Sequence, residues 1–249
     1  MSYSVRNDVR RIGIMGGTFD PIHFGHLLAA EESRTAVGLD EVIFVPAGDP
    51  AHKRQRRVAF CEDRYIMTLL TTLENPNFTP SRIEIDRKEP SHTVDTLREM
   101  RHWYAPETVE FFFITGLDAV LSMATWKEYA ELPKLCRIVA VNRPGYAQNA
   151  LDMLPTTLRD AIIPLEIPLL SISSTEIRQR IETGRSIKYL LPETVEQYIY
   201  KKGLYRKNWR AINNENTAHS GNSSLGNGSG FRRGSLQGED VRRASTADN

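Results

Sequence analysis

Short apolar runs alternate along the chain with longer stretches in which apolar residues recur every three or four positions. The short runs, such as residues 41–46 and 109–114, are rich in Ile, Val and Phe, which is typical of strands buried on both faces of a parallel sheet. The longer stretches, such as residues 24–37, have the period of an amphipathic helix. The alternation predicts strands joined by crossover helices and therefore a mostly parallel sheet.

The predicted elements are distributed along residues 11–205. Predicted strands are residues 11–15, 41–46, 82–85, 109–114, 136–141 and 161–165. Predicted helices are residues 24–37, 59–73, 91–103 and 192–202, with a further helix start near residues 172–178. In the second helix we expect four inward-facing residues, Ile66, Met67, Leu69 and Leu70. The pattern predicts an α/β fold, a Rossmann-like, mostly parallel sheet with helices on both faces, in a single domain.

The two ends of the chain differ in composition from this central part. Residues 1–10 are polar, and residues 206–249 are rich in Asn, Ser, Gly and Arg with few large apolar side chains. Segments of this composition cannot bury enough apolar surface to offset the entropy lost on ordering. We therefore predict a disordered N-terminus over residues 1–10, a domain over 11–205, and a disordered basic and polar tail over 206–249.

Composition narrows the class of protein. The chain has 249 residues and a net charge of +1, so its overall charge does not imply a nucleic-acid partner. No apolar run approaches the roughly 18 residues that a membrane-spanning helix needs, and the polar start lacks the apolar core of a signal peptide. The two cysteines, Cys61 and Cys136, form neither a zinc pattern nor a disulfide framework. We expect a cytoplasmic enzyme without a membrane partner, and a homo-oligomer remains open.

Residues 12–26 combine a predicted strand, a glycine turn and a helix start. Gly16 and Gly17 lack a Cβ, so the chain can turn tightly and a ligand can approach the backbone. His23 and His26 are three residues apart, so both rings can face one ligand. Because free N–H groups at a helix N-terminus attract anions, the segment predicts a phosphate-binding site. The chain has no P-loop and no Gly-x-Gly-x-x-Gly after this strand, which disfavours kinase and dehydrogenase chemistry.

Two further segments carry candidate phosphate ligands. A basic loop, residues 48–57, follows the strand 41–46, at the edge where open α/β sheets bind ligands; we interpret His52 and Lys53 as a phosphate grip. The segment Ile-Ser-Ser-Thr-Glu-Ile-Arg, residues 172–178, reads as a helix start with two hydroxyls and the forked donor Arg178. Alone, it would be an ordinary helix cap with a solvated arginine. Together with the histidine pair it predicts a second set of phosphate ligands.

These segments together resemble bacterial nicotinate-nucleotide adenylyltransferases, members of the nucleotidylyltransferase α/β phosphodiesterase superfamily. The resemblance rests on Gly-Gly-Thr-Phe-Asp-Pro-Ile-His-Phe-Gly-His and Ile-Ser-Ser-Thr-Glu-Ile-Arg, and it runs over about residues 11–205. Val-Pro-Ala-Gly-Asp-Pro-Ala-His-Lys, Ser-His-Thr-Val-Asp-Thr-Leu, Gly-Leu-Asp before a Trp, and Asn-Arg-Pro-Gly also match. One departure is Ala51, where many members have a second Pro, and the tail after residue 206 has no counterpart.

The resemblance implies that ATP and nicotinate mononucleotide react to give deamido-NAD and pyrophosphate, with Mg²⁺ carried by ATP and no dedicated metal site. The 5′-phosphate of the mononucleotide is already anionic, so neither a protein nucleophile nor a general base is needed. Asp20 is then structural and bonds the turn. The implied catalytic residues are His23, His26 and Arg178. The implied ATP-binding residues are Gly16, Gly17, Thr18, Phe19, Gly116, Asp118, Ser173 and Thr175, and the implied mononucleotide-binding residues are His52, Lys53, Thr93, Trp126 and Arg143.

The nicotinate ring and its carboxylate would be bound by different groups of the protein. Trp126 could stack on the ring, and the helix that begins near Thr93 would turn its positive dipole end toward the carboxylate. The alternative for Trp126 is core packing. Two other functions stay open: an adenylyltransferase of the same superfamily that acts on phosphopantetheine, and a nucleotide-binding sensor that keeps the fold without turnover.

Overall fold

The protein folds around one parallel sheet, as the sequence predicts. The structure, a computed structural model, describes residues 9–48, 58–142, 148–168 and 170–207. Within these residues the sheet has six strands in the order β3-β2-β1-β4-β5-β6, and every strand pairing is parallel. This is the strand order of the doubly wound Rossmann fold. Of the segments predicted to be disordered, 1–10 and 206–249, residues 1–8 and 208–249 lie outside the described residues, whereas Arg10 begins the first strand.

Strands and helices alternate through most of the chain. The strands are β1 Arg10–Gly17, β2 Glu41–Pro46, β3 Phe78–Pro80, β4 Val109–Gly116, β5 Arg137–Asn142 and β6 Ile162–Glu166. The helices are α1 Phe24–Val37, α2 Cys61–Thr72, α3 Thr93–Trp103, α4 Leu117–Ser122, α5 Leu132–Leu135, α6 Thr156–Ala161, α7 Ser174–Glu182 and α8 Glu193–Lys202.

Helices cover both faces of the sheet because the strands bury side chains on both sides. Phe112 and Ile114 of β4 pack into a core with side chains of α1, α2, α7 and α8. Phe111 and Phe113 of the same strand pack into a second core with side chains of α3, α4, α5 and α6. Successive strand residues point to opposite faces, so an almost continuous apolar run is what a sheet covered on both sides requires.

The predicted strand at residues 82–85 is wrong. Residues 83–85 form a turn, and the edge strand is β3, where Phe78 pairs with Val42 of β2. Ile83 is buried in the second core, so its apolar character reflects a turn packed on the sheet. A three-residue edge strand that ends in Pro80 has too weak a pattern to be found by periodicity.

The predicted inward face of α2 is correct for Met67, which is buried, and for Leu70, which packs against the first core, and it is wrong for Ile66 and Leu69. Arg64, Thr68 and Thr71 are buried beside Met67, whereas Ile66, Leu69 and Leu70 are only partly buried. The hydroxyls of Thr68 and Thr71 donate to the carbonyls of Arg64 and Met67, each at 2.9 Å. These bonds satisfy the hydroxyls inside the helix, so threonine can occupy a buried face that hydrophobicity alone assigns to leucine.

Candidate active site

The candidate active site lies where the strand order changes direction, between the neighbouring strands β1 and β4. Two cavities open at the carboxyl ends of these strands. They share three small lining residues, Gly16 of β1, Thr115 of β4 and Ala119 of α4. A crevice at this point is where open α/β sheets bind ligands.

The first cavity has a volume of about 700 Å³, which is within the usual range for small-molecule sites. His23, Gly25 and His26 at the start of α1 form one wall, and Gly116 and Asp118 form another. A Cβ on Gly116 would lie 2.6 Å from Asp118 Oδ1, so the carboxylate lies directly over this glycine. Apolar side chains of the α1 helix also line it, together with Asn142 and with Ile167, Pro168, Leu170 and Ile172.

The two histidines cap α1. His23 is the N-cap, and its Nδ1 accepts the backbone N–H of Gly25 at 3.2 Å. The backbone N–H of His23 donates in turn to Nδ1 of His26 at 3.2 Å. This reciprocal arrangement is a capping box built from two imidazoles. Because each Nδ1 accepts a hydrogen bond, each neutral ring carries its proton on Nε2 and can act as a donor there.

Packing fixes the orientation of both rings. The rings of His23 and His26 stack with centroids 3.8 Å apart, and Phe19 meets His26 edge-on at 5.1 Å. His23 is only 5% exposed, and burial lowers its pKa to about 4. His23 is therefore a neutral hydrogen-bond donor at neutral pH.

The second cavity has a volume of about 570 Å³. Gly17 and Thr18 line it on the β1 side, and Thr93 and Trp126 line it on the α3 side. The Trp126 ring also meets Phe113 of the sheet edge-on at 6.1 Å. Trp126 therefore packs on the core and borders the cavity, so that both interpretations made from the sequence describe part of its surroundings.

The start of α3 lies against this second cavity. The N-cap is His92, which makes no side-chain capping bond. The ammonium of Lys127 lies 2.9 Å from the carboxylate of Asp95 in the first turn of α3, so an ion pair joins the segment after Trp126 to the helix. Lys127 lines the cavity as well, a role that no feature of the sequence indicated.

A buried carboxylate, Glu84, was also missed from the sequence. It lines the second cavity and accepts a 2.6 Å hydrogen bond from the Thr96 hydroxyl, to which Arg87 donates at 3.0 Å. Burial raises the pKa of Glu84. Periodicity gave no signal for it, because residues 83–85 form a turn and not a strand.

The phosphate ligands predicted near residues 172–178 are not themselves lining residues of either cavity, although the adjacent Ile172 lines the first cavity. Ser173 is the N-cap of α7, and its hydroxyl accepts the N–H of Glu176 at 3.1 Å. Arg178 donates to the backbone carbonyl of Asp20 and, at 3.3 Å, to the hydroxyl of Thr175. Ser173, Thr175 and Arg178 do not line either cavity.

The remaining predicted residues either belong to the glycine turn or lie outside the part of the chain that the structure describes. Gly17 and Thr18 line the second cavity rather than the first, and Phe19 lines neither because it is buried in the core, 2% exposed. His52, Lys53 and Arg143 lie outside the described residues.

Arg64 of α2 holds together the segments around the glycine turn, and sequence reasoning missed it. It is 1% exposed, and its guanidinium donates to the carbonyls of Thr18, Gly48 and Ala59 at 2.8, 3.0 and 3.1 Å. Desolvation lowers its pKa, and the nearby Asp20 raises it. The only available signal was an arginine on the same helical face as Met67.

With this geometry the chain can be compared with known proteins. The cytidylyltransferase-like family model matches residues 14–180. A probable nicotinate-nucleotide adenylyltransferase of Thermoanaerobacter sp. strain X514 is 51% identical over 201 residues, which are 79% of this chain and 95% of that protein.

The chain belongs to the nicotinate-nucleotide adenylyltransferase family.

Other members of the nicotinate-nucleotide adenylyltransferase family agree with this assignment. A probable member from Thermus thermophilus is 52% identical over 196 residues, which are 79% of this chain and the whole of that protein. The solved structure of the Plasmodium falciparum nicotinic acid mononucleotide adenylyltransferase complexed with NaAD has the same fold. It has a TM-score of 0.64 at 21% identity and covers 79% of this chain and 97% of that one.

Two kinds of feature are absent from the part of the chain that the structure describes. No helix among these residues is long and apolar enough to cross a membrane. In the same residues, no group of three or more His, Cys, Asp and Glu side chains is arranged to hold a metal ion.

Proposed function

We propose that the chain transfers the adenylyl group of ATP to nicotinate mononucleotide, giving deamido-NAD and pyrophosphate. The observation that carries the proposal is the pair of cavities that meet at Gly16, Thr115 and Ala119, with a pair of imidazole donors in the lining of the first cavity. Membership of the adenylyltransferase family supports the same reaction.

Each cavity takes one substrate. ATP occupies the first cavity, with Gly116 and Asp118 beside its ribose and phosphates and with Gly16 under the α-phosphate. Nicotinate mononucleotide occupies the second cavity, where Trp126 stacks on the ring and the N-terminal turn of α3 at Thr93 attracts the carboxylate. Gly17, Thr18 and Phe19 form the turn between the two, and its backbone N–H groups bind phosphate oxygens.

Catalysis rests on positioning and charge stabilisation. The 5′-phosphate of the mononucleotide attacks the α-phosphate of ATP, the bond to the β-phosphate breaks, and pyrophosphate leaves. His26 and His23 donate from Nε2 to the phosphate oxygens as negative charge develops in the transition state. Arg178, with Ser173 and Thr175, binds the β- and γ-phosphates.

ATP would bring Mg²⁺ with it. Mg²⁺ favours phosphate oxygens and water, completed by one or two carboxylates. Asp118, the carboxylate in the lining of the first cavity, fits that role, and the ion would neutralise phosphate charge there. His52, Lys53 and Arg143 are proposed as additional ligands of the mononucleotide. We propose these two substrates as the partners and the cytoplasm as the location of the enzyme.

The test is pyrophosphate release from ATP and Mg²⁺ with nicotinate mononucleotide, nicotinamide mononucleotide or phosphopantetheine as the acceptor. We expect a strong preference for nicotinate mononucleotide. Preference for phosphopantetheine would overturn the substrate and keep the reaction class. Tight ATP binding without pyrophosphate release from any acceptor would overturn the enzyme and favour a sensor.

A further inference from the structure

Asp20, in the turn after the two glycines, bonds to three separate parts of the chain. It is 4% exposed. Its Oδ1 accepts the backbone N–H of Ala59 at 3.0 Å and the hydroxyl of Tyr205 at 2.7 Å. Its backbone carbonyl accepts from Nη1 of Arg178, and the same Nη1 lies 3.6 Å from its Oδ2. Asp20 therefore connects the glycine turn with Arg178 and with the end of the domain.

Tyr205 follows α8 and lies 25 residues beyond the end of the family match at residue 180. It is 4% exposed and adopts a left-handed backbone conformation with φ of 63°. Burial and the adjacent Asp20 carboxylate raise the pKa of its hydroxyl well above the usual value, so the hydroxyl stays a donor at every pH at which the enzyme works. The side chain of Tyr205 is therefore buried, and its hydroxyl donates to one carboxylate oxygen of Asp20.

We propose that Tyr205 is a positioning residue, whose hydrogen bond to Asp20 sets how strongly Asp20 retains Arg178 and so how readily Arg178 binds the phosphates of ATP. This inference rests on the proposed function, in which Arg178 is a phosphate ligand. Asp20 and the polyphosphate are then competing anions for one guanidinium.

The competition follows from the charges around Asp20. Four groups compensate the buried carboxylate: the Ala59 N–H, the Tyr205 hydroxyl and the positive charges of Arg64 and Arg178. When the Tyr205 hydroxyl is removed, the carboxylate loses a donor in a site that water does not reach, and its attraction for Arg178 increases. Arg178 is then withdrawn from the phosphates, and ATP binds less well.

The test is steady-state kinetics of Tyr205→Phe, which removes the hydroxyl and keeps the ring. A hydrogen bond to a charged group is strong enough to change an affinity more than tenfold, and we expect KM for ATP to rise about tenfold while KM for nicotinate mononucleotide stays within twofold of wild type. Tyr198→Phe is the matched control, because the Tyr198 hydroxyl donates to Asp63 at the same 2.7 Å, and Asp63 lines neither cavity. It should lower the melting temperature and leave both KM values unchanged.

A double-variant cycle with Arg178→Ala separates positioning from a purely structural role. If Tyr205 acts through Arg178, Tyr205→Phe will raise KM for ATP in wild type and have no further effect in Arg178→Ala. Additive effects, or an unchanged KM in folded Tyr205→Phe, overturn the inference and leave the proposed function standing. If wild type itself releases no pyrophosphate, both fail together.

Asp20→Asn provides an independent measurement in which Tyr205 is kept. Asparagine retains an acceptor for Ala59 and Tyr205 but removes the charge that competes for Arg178. In Asp20→Asn alone we expect KM for ATP to fall. In the double variant of Asp20→Asn with Tyr205→Phe we expect KM for ATP to return toward the wild-type value. A rise in KM for ATP in the folded single variant contradicts the inference.

Discussion

Acidification should destabilise this enzyme through His23. The side chain is buried in the capping box of α1, and its Nδ1 accepts a backbone N–H from Gly25. Burial opposes the charge of a protonated ring, which is why the pKa of His23 is lowered from 6.5 to about 4. In the unfolded chain the ring is solvated and titrates near 6.5.

The sign and size of the effect follow from this difference. A group whose pKa is lower in the folded state binds more protons when unfolded, so stability is complete above pH 6.5 and is lost as the pH falls toward 4. One pKa unit corresponds to about 1.4 kcal/mol. The fall in the His23 pKa is therefore worth about 3 kcal/mol of unfolding free energy, a large part of the roughly 5–15 kcal/mol that stabilises an ordinary domain.

The assay is urea unfolding of wild type and His23→Asn at several pH values between 7.5 and 4. Asparagine is a good N-cap and does not titrate, so the difference between the two unfolding free energies isolates the imidazole. That difference should shrink by about 3 kcal/mol across the range, in favour of the variant at low pH. His102→Asn, at an exposed position near the end of α3, controls for the loss of a histidine as such. Parallel curves for wild type and His23→Asn would refute the reasoning.

Three further predictions concern the packing and the substrate pocket. Arg64→Met should lower the unfolding free energy measured in urea by about 3 kcal/mol, because it leaves three backbone carbonyls without their donor. The control Arg82→Met breaks exposed ion pairs and should lower it by less than about 1 kcal/mol. Equal losses of unfolding free energy in the two variants would contradict this. Gly17→Ala should cost about 1–3 kcal/mol by the same measurement, since a Cβ would lie 2.8 Å from the buried ring of Phe19, and an unchanged stability would show that the ring moves freely. Trp126→Ala should raise KM for nicotinate mononucleotide about tenfold and leave KM for ATP unchanged; the reverse pattern would exclude the stacking role.

The sequence predicts the fold well because its periodic signals are strong where both faces of a strand are buried. The bounds of α1 and β2 agree with the prediction, since a glycine ends the helix at residue 38 and an unbroken apolar run fills the strand. The prediction fails in part of α2 and at β3. There, burial depends on hydrogen bonds that satisfy Thr68 and Thr71 and on a strand of three residues. Neither feature produces hydrophobic periodicity.

For the site, the sequence predicts which side chains border the cavities better than it predicts the residues to which the site residues bond. Thr93 and Trp126 border one cavity, and His23 and His26 border the other. His23, His26 and Thr93 lie at the starts of helices that periodicity can locate, whereas Trp126 ends a short 3-10 helix and was assigned through the family resemblance. The partner of Arg178 could not be found this way. Its hydrogen bond to the carbonyl of Asp20 joins residues 158 positions apart, and only the packing of α7 against the glycine turn brings them together.

The arrangement also explains how a site for two polyanions can fold before either is bound. A cluster of unpaired cations would repel one another in the empty protein, and a neutral site would bind phosphates weakly. Here the donors that border the first cavity are imidazoles, with His23 neutral at working pH, while the guanidinium of Arg178 lies against Asp20. Asp20 thus supplies in the empty enzyme the negative charge that, on our proposal, the phosphates of ATP supply in the complex. The exchange of one anion for another keeps the net charge around Arg178 nearly constant, so binding energy can go into aligning the two phosphates rather than into assembling the site.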